Sequence, residues 1–397
     1  MLFKNCTVNG KLTDIAVKNG VITDGEYDGG IVDCGGLTAS YGFLDMHCHL
    51  RDPGYTHKED IVTGLAAAAK GGFTAVMPMP NTSPVTDNEK TLKYVLEKAE
   101  GLGVKVLPVA ASTVGQKGSE LTDCAALIKA GAAAFSDDGY PVVNDGIARE
   151  AIVNADKEGS FFISHCETPS LNINGKVTPE SEEAMIARDC ETSLKTGARL
   201  HIAHVSTEKG VQIIREAKKK GAHVTAETCP HYFCFNETEV NGNTSFKMNP
   251  PLRSEKDREA IIEGLKDGTL DVISTDHAPH AKEEKAREFA AAPNGILGFE
   301  TAFSAGYTYL VKAGRLTLSE LIYKMAVRPY EIVGARGGRL EAGYPADIVL
   351  LDLEKEFIYT EDEIRSRSKN SPFVEKKLLG RVVLTAVNGK IIYSEIN

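Results

Sequence analysis

Phe43-Leu44-Asp45-Met46-His47-Cys48-His49 is a short, mostly apolar run that ends in two histidines separated by one residue. Beyond the Pro53-Gly54 pair, residues 60–70 form a stretch rich in alanine and leucine. The first piece has the length and composition of a buried strand, and the second has the composition of a helix. The alternation recurs. Strand-like runs at 74–77, 104–110, 132–136, 161–165, 200–204, 223–226 and 272–275 are mostly separated by helix-like runs at 88–100, 119–129, 148–157, 180–196, 208–219 and 256–266. Eight such units predict an α/β fold, a (β/α)8 barrel of the TIM type, over residues 43–338. An open doubly wound sheet shares the alternation, but no Gly-x-Gly-x-x-Gly follows the first strand.

The flanks read differently. Val8-Asn9-Gly10-Lys11, Lys18-Asn19-Gly20-Val21 and Val387-Asn388-Gly389-Lys390 are Asn-Gly turns between alternating apolar residues, a hairpin signature, and Asp347–Asp352 is strand-like. Residues 1–42 and 339–397 are therefore expected to pair into one small β-sandwich domain that the barrel interrupts.

Composition narrows the function. The 397 residues are 42% hydrophobic and 25% charged, which is ordinary for a globular protein. A net charge of −10 argues against nucleic acid as a partner, because neutralising phosphates needs a basic face. No apolar run is long enough to span a membrane, and the first residues lack the apolar core of a secretion signal. The eight cysteines form no Cys-x-x-Cys pair, which reads as reduced thiols in the cytoplasm.

Chemistry in a (β/α)8 barrel gathers at the carboxyl ends of the strands. Of the ten histidines, His47, His49, His165, His204, His231, His277 and His280 fall there. Residues i and i+2 of a strand point the same way, so His47 and His49 can reach one ion. Asp276 can add a carboxylate from the eighth strand, next to the first once the barrel closes. His165 and His204 form a second imidazole pair. A carboxylate on the fourth strand can bridge the two, and the pattern leaves Asp137 and Asp138 both open for that place. Four imidazoles and two carboxylates are enough for two divalent metals. Cys48 faces the other way, into packing, and Cys229 matches no closed structural metal site.

Longer motifs carry a resemblance. They are Gly42–Gly54 with its His-x-His, Met79-Pro80-Asn81-Thr82, Phe135-Ser136-Asp137-Asp138-Gly139, His165-Cys166-Glu167, His204-Val205-Ser206-Thr207, Lys247-Met248-Asn249-Pro250-Pro251-Leu252-Arg253 and Thr275-Asp276-His277-Ala278-Pro279-His280. Together they resemble the bacterial class I dihydroorotases of the amidohydrolase superfamily over nearly the whole chain. The resemblance implies two Zn2+ per subunit, bridged by Asp138 and a hydroxide. His47, His49 and Asp276 would hold one ion, and His165 and His204 the other. Many amidohydrolases bridge with a carboxylated lysine, but residues 132–139 contain none. The implied reaction is the reversible cyclisation of N-carbamoyl-L-aspartate to dihydroorotate in pyrimidine biosynthesis, with Asp276 as general acid and base. His49, Arg51, Asn81, Asn249, His280, Asn294 and Gly295 match positions that bind substrate. A cytoplasmic homodimer and a transcarbamoylase partner are implied in the same way. The alternatives are another cyclic amidohydrolase, of hydantoinase or allantoinase type, and a noncatalytic scaffold. Residues 281–293 read either as a lid or as a plain surface helix.

Overall fold

In the computed structural model, which describes residues 1–396, the expected strands pair in parallel around a ring. They are Phe43–Cys48, Phe73–Pro78, Lys105–Val106 continued by Val109–Ala110, Ala134–Phe135, Phe162–Ser164, Leu200–Ile202, Val224–Thr228 and Val272–Ile273. Pro108 has no N–H to give and splits the third strand. Leu107 N–H still donates to Val76 O at 2.9 Å, and Ala133 N–H to Pro108 O at 2.8 Å, so the ladder crosses the break. Between the eighth strand and the first, Asp276 N–H donates to His47 O at 2.9 Å and His49 N–H to His277 O at 2.8 Å. Cys48 and His277 form a parallel bridge there. The barrel is closed, which removes the open-sheet alternative.

The expected helices flank the strands, and their starts follow capping chemistry. Ile61–Lys70 begins after Asp60, whose carboxylate accepts from Thr63 N–H, and Glu89–Ala99 begins after Asn88 in the same manner. The third helix is shorter than its composition suggests, Cys124–Ala130, because Asp123 caps it late. The fourth, Asp145–Lys157, begins three residues early because Asn144 caps it. The helices after the eighth strand, Ala302–Gly306, Leu318–Ile322 and Arg328–Val333, were not expected. Ile61, Leu65, Leu92, Ile152, Ile186, Ile214 and Ile261 from the helices share one buried cluster with Phe43, Val76, Phe135 and Leu200 from the strands.

The two chain ends hydrogen-bond into a single eight-stranded sheet. Thr38–Tyr41 pairs antiparallel with Ile348–Ile358 and joins them. Asn9-Gly10, Asn19-Gly20 and Asn388-Gly389 all have positive φ at both positions, as two-residue hairpin turns require. A second apolar core including Phe3, Val17, Ile348 and Leu384 lies against this sheet. Between Ile348–Ile358 and Lys377–Val387 the chain leaves the sheet, and residues 365–371 run along the barrel. Among the described residues no helix is long and apolar enough to cross a membrane.

Residues 281–293 contain only the short helix Lys282–Lys285. Lys285 Nζ, buried beneath the segment, donates to Lys247 O, Pro293 O and Gly295 O at 3.2, 3.1 and 3.0 Å. Lys247 Nζ in turn donates to Ala290 O at 3.1 Å and Ala292 O at 2.6 Å. The segment is thus tied down by two lysines and is not a plain surface helix.

Candidate active site

A cavity of about 220 Å³ opens at the carboxyl end of the barrel. It is lined by His49, Arg51, Asn81, Asp138, Gly139, His165, His204, Asn249, Asp276, Ala278, His280, Asn294 and Gly295. His47 lies directly behind it, fully buried. A wider groove of about 720 Å³ between residues 96–106 and the last strands of the terminal sheet carries none of these groups. Every residue singled out in the sequence for metal or substrate therefore reaches one place. Of the other rim histidines, His277 stacks on Phe299 with ring centres 4.1 Å apart and accepts from Gly298 N–H at 3.2 Å. His231 is buried in the short helix Pro230–Cys234. Neither lines the cavity.

Asp138 is the hub. Its Oδ1 lies 3.2 Å from His47 Nε2, 3.3 Å from His165 Nδ1 and 3.6 Å from His204 Nε2, and its Oδ2 lies 3.5 Å from His49 Nε2. Asp276 Oδ1 sits 3.0 Å from His49 Nε2 and 3.6 Å from His47 Nε2. Two donor groups, His47–His49–Asp138 and Asp138–His165–His204, therefore share one carboxylate. Asp137 turns away and accepts from Ser112 N–H at 2.8 Å and Thr113 N–H at 3.1 Å, and burial pushes its carboxyl up to about 6. The ambiguity between the two aspartates ends there: Asp138 faces the imidazoles, and Asp137 ties down the neighbouring loop.

The donor set fits a pair of cations. His47 Nε2 and Asp138 Oδ1 are buried without a hydrogen-bond partner. His165 Nδ1 and His204 Nε2 approach to 2.8 Å, a hydrogen-bond distance at which one ring carries a proton that a metal ion would displace. Burial opposes charge on Asp138, but the charge of His47 and the close approach of the His165, His204 and His47 imidazoles outweigh it and hold the carboxyl well below its usual range. Burial likewise pushes His165 down, yet Asp138 and Glu167 overcome this and bring it up to about 9. Protons and metal ions compete for these nitrogens, so metal affinity is expected to rise with pH up to about 9. Calorimetric titration with Zn2+ in buffers of different ionisation enthalpy should show proton release, and a pH-independent affinity would contradict this.

Known proteins resemble this chain over nearly its whole length. A family model described as Dihydro-orotase-like matches residues 39–210. Dihydroorotase from Ruminiclostridium cellulolyticum is 47% identical over 401 aligned residues, covering 96% of this chain and 94% of the relative. Dihydroorotase from Acetivibrio thermocellus is 46% identical, covering 97% and 95%. The chain belongs to the dihydroorotase family. Among solved structures, an L-hydantoinase (dihydropyrimidinase) from Arthrobacter aurescens superposes with a TM-score of 0.91 at 26% identity, covering 100% of this chain and 96% of that one. The dihydroorotase family thus shares its architecture with cyclic amidohydrolases.

In this dihydroorotase-family chain, the nitrogens that face the cluster are oriented by partners on the far side of each ring. His47 Nδ1–H donates to Glu227 Oε1 at 2.7 Å, His49 Nδ1–H to Asn81 Oδ1 at 2.9 Å and His165 Nε2–H to Glu167 Oε2 at 3.4 Å. Once a metal ion displaces the proton on the site-facing nitrogen, each bond would leave that nitrogen's lone pair for the ion. Glu227 was not singled out in the sequence. It is completely buried on the seventh strand, contacts His201 Nε2 at 3.2 Å and accepts from Ser274 Oγ. The available signal was a glutamate directly after the strand-like run 223–226. Glu227→Gln is expected to weaken Zn2+ binding by about 10- to 100-fold, read by chelator competition. Unchanged affinity would limit Glu227 to a packing role.

The substrate-facing side is equally constrained. Arg51, His204 and Asp276 have φ of 60°, 33° and 46°, a left-handed backbone unusual for side chains other than glycine. Burial and the Arg51 and Lys58 charges hold His280 down at about 2, so its imidazole is neutral. His280 Nε2–H donates to Asn294 O at 2.7 Å, so the Arg51 Nη2 that lies 3.3 Å away gains no acceptor there. The guanidinium keeps donors for a ligand. Asn249 donates to Glu167 Oε2 at 3.1 Å. Gly295 has φ of +134°, and a Cβ there would come within 2.7 Å of Ala278 O. Its N–H donates to Lys247 O at 2.9 Å and its carbonyl is also taken, so Gly295 can offer a ligand shape but no free backbone polar group.

Proposed function

We propose that the protein is a dihydroorotase that interconverts N-carbamoyl-L-aspartate and (S)-dihydroorotate, in the de novo pathway to UMP. The observation that carries this reading is one cavity in which Asp138 is shared by four imidazoles while Arg51 and His280 stand across from it. His47, His49 and Asp276 would hold one divalent ion, His165 and His204 the other, and Asp138 both. Zinc is the choice of the donor types. When bound, such ions polarise a carbonyl and make water a nucleophile near neutral pH.

The chain's own residues do the rest. Burial pushes Asp276 up, but the His49 hydrogen bond and the charges of His47 and His49 prevail and hold it below the usual range, so it is ionised and able to accept a proton. In the hydrolytic direction Asp276 takes the proton of the attacking water and delivers it to the departing ring nitrogen, and cyclisation reverses both transfers. Arg51 pairs with the substrate carboxylate through two parallel charge-assisted bonds. Asn81, Asn249 and His280 orient the ring against it, and Asn294 and Gly295 wall it in.

Metal-replete protein should turn over dihydroorotate and not hydantoin, dihydrouracil or allantoin, and should contain two metal equivalents per chain. Preference for any of the other three would replace this reading with another cyclic amidohydrolase. Absence of metal and of turnover would favour a scaffold. Arg51→Ala is expected to raise KM about 100-fold with a smaller change in kcat, as loss of a charge-assisted pair predicts. An unchanged KM would remove Arg51 from recognition.

The same proposal takes residues 43–338 as the catalytic barrel. It takes residues 1–42 and 339–397 as the small domain, a β-sandwich built on the eight-stranded sheet whose core includes Phe3, Ile348 and Leu384. It takes the enzyme as cytoplasmic, in keeping with eight free thiols. It also takes it as a homodimer with a transcarbamoylase as candidate partner, and sedimentation equilibrium tests the oligomer.

A further inference from the structure

Residues 365–371 belong to the excursion between two long strands of the terminal sheet, yet they lie across the barrel loops that follow its first and eighth strands. Ser366 Oγ donates to the Glu59 carboxylate, Arg367 N–H to Glu59 Oε1 at 3.1 Å and Ser368 Oγ to Lys58 O at 2.6 Å. These bonds fasten the segment to the loop that carries Arg51. Arg365 N–H donates to Glu300 Oε1 at 2.7 Å on the other side.

At the end of this run stands Asn370, only 5% exposed. Its Oδ1 accepts from His280 N–H at 3.2 Å. Its Nδ2 donates to Gly295 O at 3.0 Å and lies 3.4 Å from Ala278 O. Its backbone carbonyl accepts from Leu297 N–H at 2.9 Å. One residue therefore joins the turn that follows Asp276 to the turn that holds Asn294 and Gly295. It does so from behind, without lining the cavity.

We infer that Asn370 is a positioning residue for substrate recognition, setting the distance between His280 and Gly295 across the cavity wall. The two turns share a single parallel bridge, His277 with Ile296, where Ala278 N–H donates to Ile296 O at 2.7 Å, and a side chain with one acceptor and two donors extends that contact to the His280 N–H and Gly295 carbonyl beyond it. The Gly295 carbonyl is shared between Asn370 and Lys285, which keeps it pointed away from the ligand. The small domain is thereby part of the recognition machinery and not an appendage. Nothing in this arrangement touches the imidazole cluster, so the effect falls on binding and spares the metal site.

This inference rests on the proposed dihydroorotase reading for its kinetic readout, and the experiment separates the two. Full-length Asn370→Ala and Asn370→Asp would be compared with the parent protein for dihydroorotate kinetics, zinc content and hydrogen exchange of residues 278–297. The aspartate is isosteric and keeps the acceptor for His280 N–H, but sets a carboxylate against two carbonyls. Both variants should raise KM about 10-fold or more with kcat within about threefold and zinc content unchanged. Exchange at His280 should quicken in the alanine variant and stay slow in the aspartate variant. Unchanged KM in both variants, or a fall in kcat that tracks zinc loss, overturns the inference. Should the parent protein fail to turn over dihydroorotate, the functional reading falls. Exchange of 278–297 then decides for Asn370, and no change in the alanine variant overturns it.

Discussion

Asp138→Ala is expected to abolish binding of both divalent ions and to lower kcat/KM by about 10⁴ or more. One carboxylate lies within 3.6 Å of the site-facing nitrogens of His47, His49, His165 and His204. Without it, four imidazoles converge with no central negative charge, and mutual repulsion of bound cations goes uncompensated. Losing several kcal/mol of transition-state stabilisation from the metals corresponds to about that factor, at 1.36 kcal/mol per tenfold. The adjacent residue supplies the control. Asp137→Ala leaves Ser112 N–H and Thr113 N–H without their acceptor and is expected to cost about 1–3 kcal/mol of stability with metal content intact. Metal analysis and thermal unfolding of the two variants read both outcomes. If Asp138→Ala retains two metals, the shared-carboxylate reading is wrong.

Asp276→Asn should lower kcat by about 10³ while changing KM little, the size and pattern of a lost general acid–base. The amide keeps the shape that fills the place beside His49 at 3.0 Å but cannot accept and return a proton at neutral pH. Zinc should persist at the His165–His204 pair and weaken at the His47–His49 pair. In the parent enzyme, activity should fall as acid protonates Asp276, below the usual carboxylate range because its folded value is depressed. That acid limb should be absent from the residual activity of Asp276→Asn. A variant with near-normal kcat would assign the proton transfers to another group.

Much of this was legible in the chain because it is local. Strand-length apolar runs alternating with alanine- and leucine-rich runs mark the barrel, and histidines at run ends mark its working face. The Asn-Gly turns specified their hairpins through backbone conformation alone. Helix starts were blurred because the caps Asp123 and Asn144 decide them through single hydrogen bonds, which composition does not register. The helices after the eighth strand escaped because π-turns at Tyr307–Val311 and Tyr323–Val327 break the 3.6-residue period. The choice between Asp137 and Asp138 needed the fourth strand's actual twist. Glu227, Lys285 and Asn370 share a different reason. Each matters through partners that only the fold brings close, as in the Glu227–His47 bond across 180 positions, and composition holds no trace of such a pairing.

The joint between the last barrel strand and the first has a consequence for biogenesis. His49 and Asp276, 227 positions apart, meet across it, and Thr275 N–H donates to Asp45 Oδ1 at 2.9 Å in the same place. A nascent chain leaving the ribosome exposes its His-x-His pair long before Asp276 has been synthesised. On the proposed metal site, high-affinity loading would await synthesis of the eighth barrel strand, so that metal capture would latch a closed barrel and strengthen it by mass action.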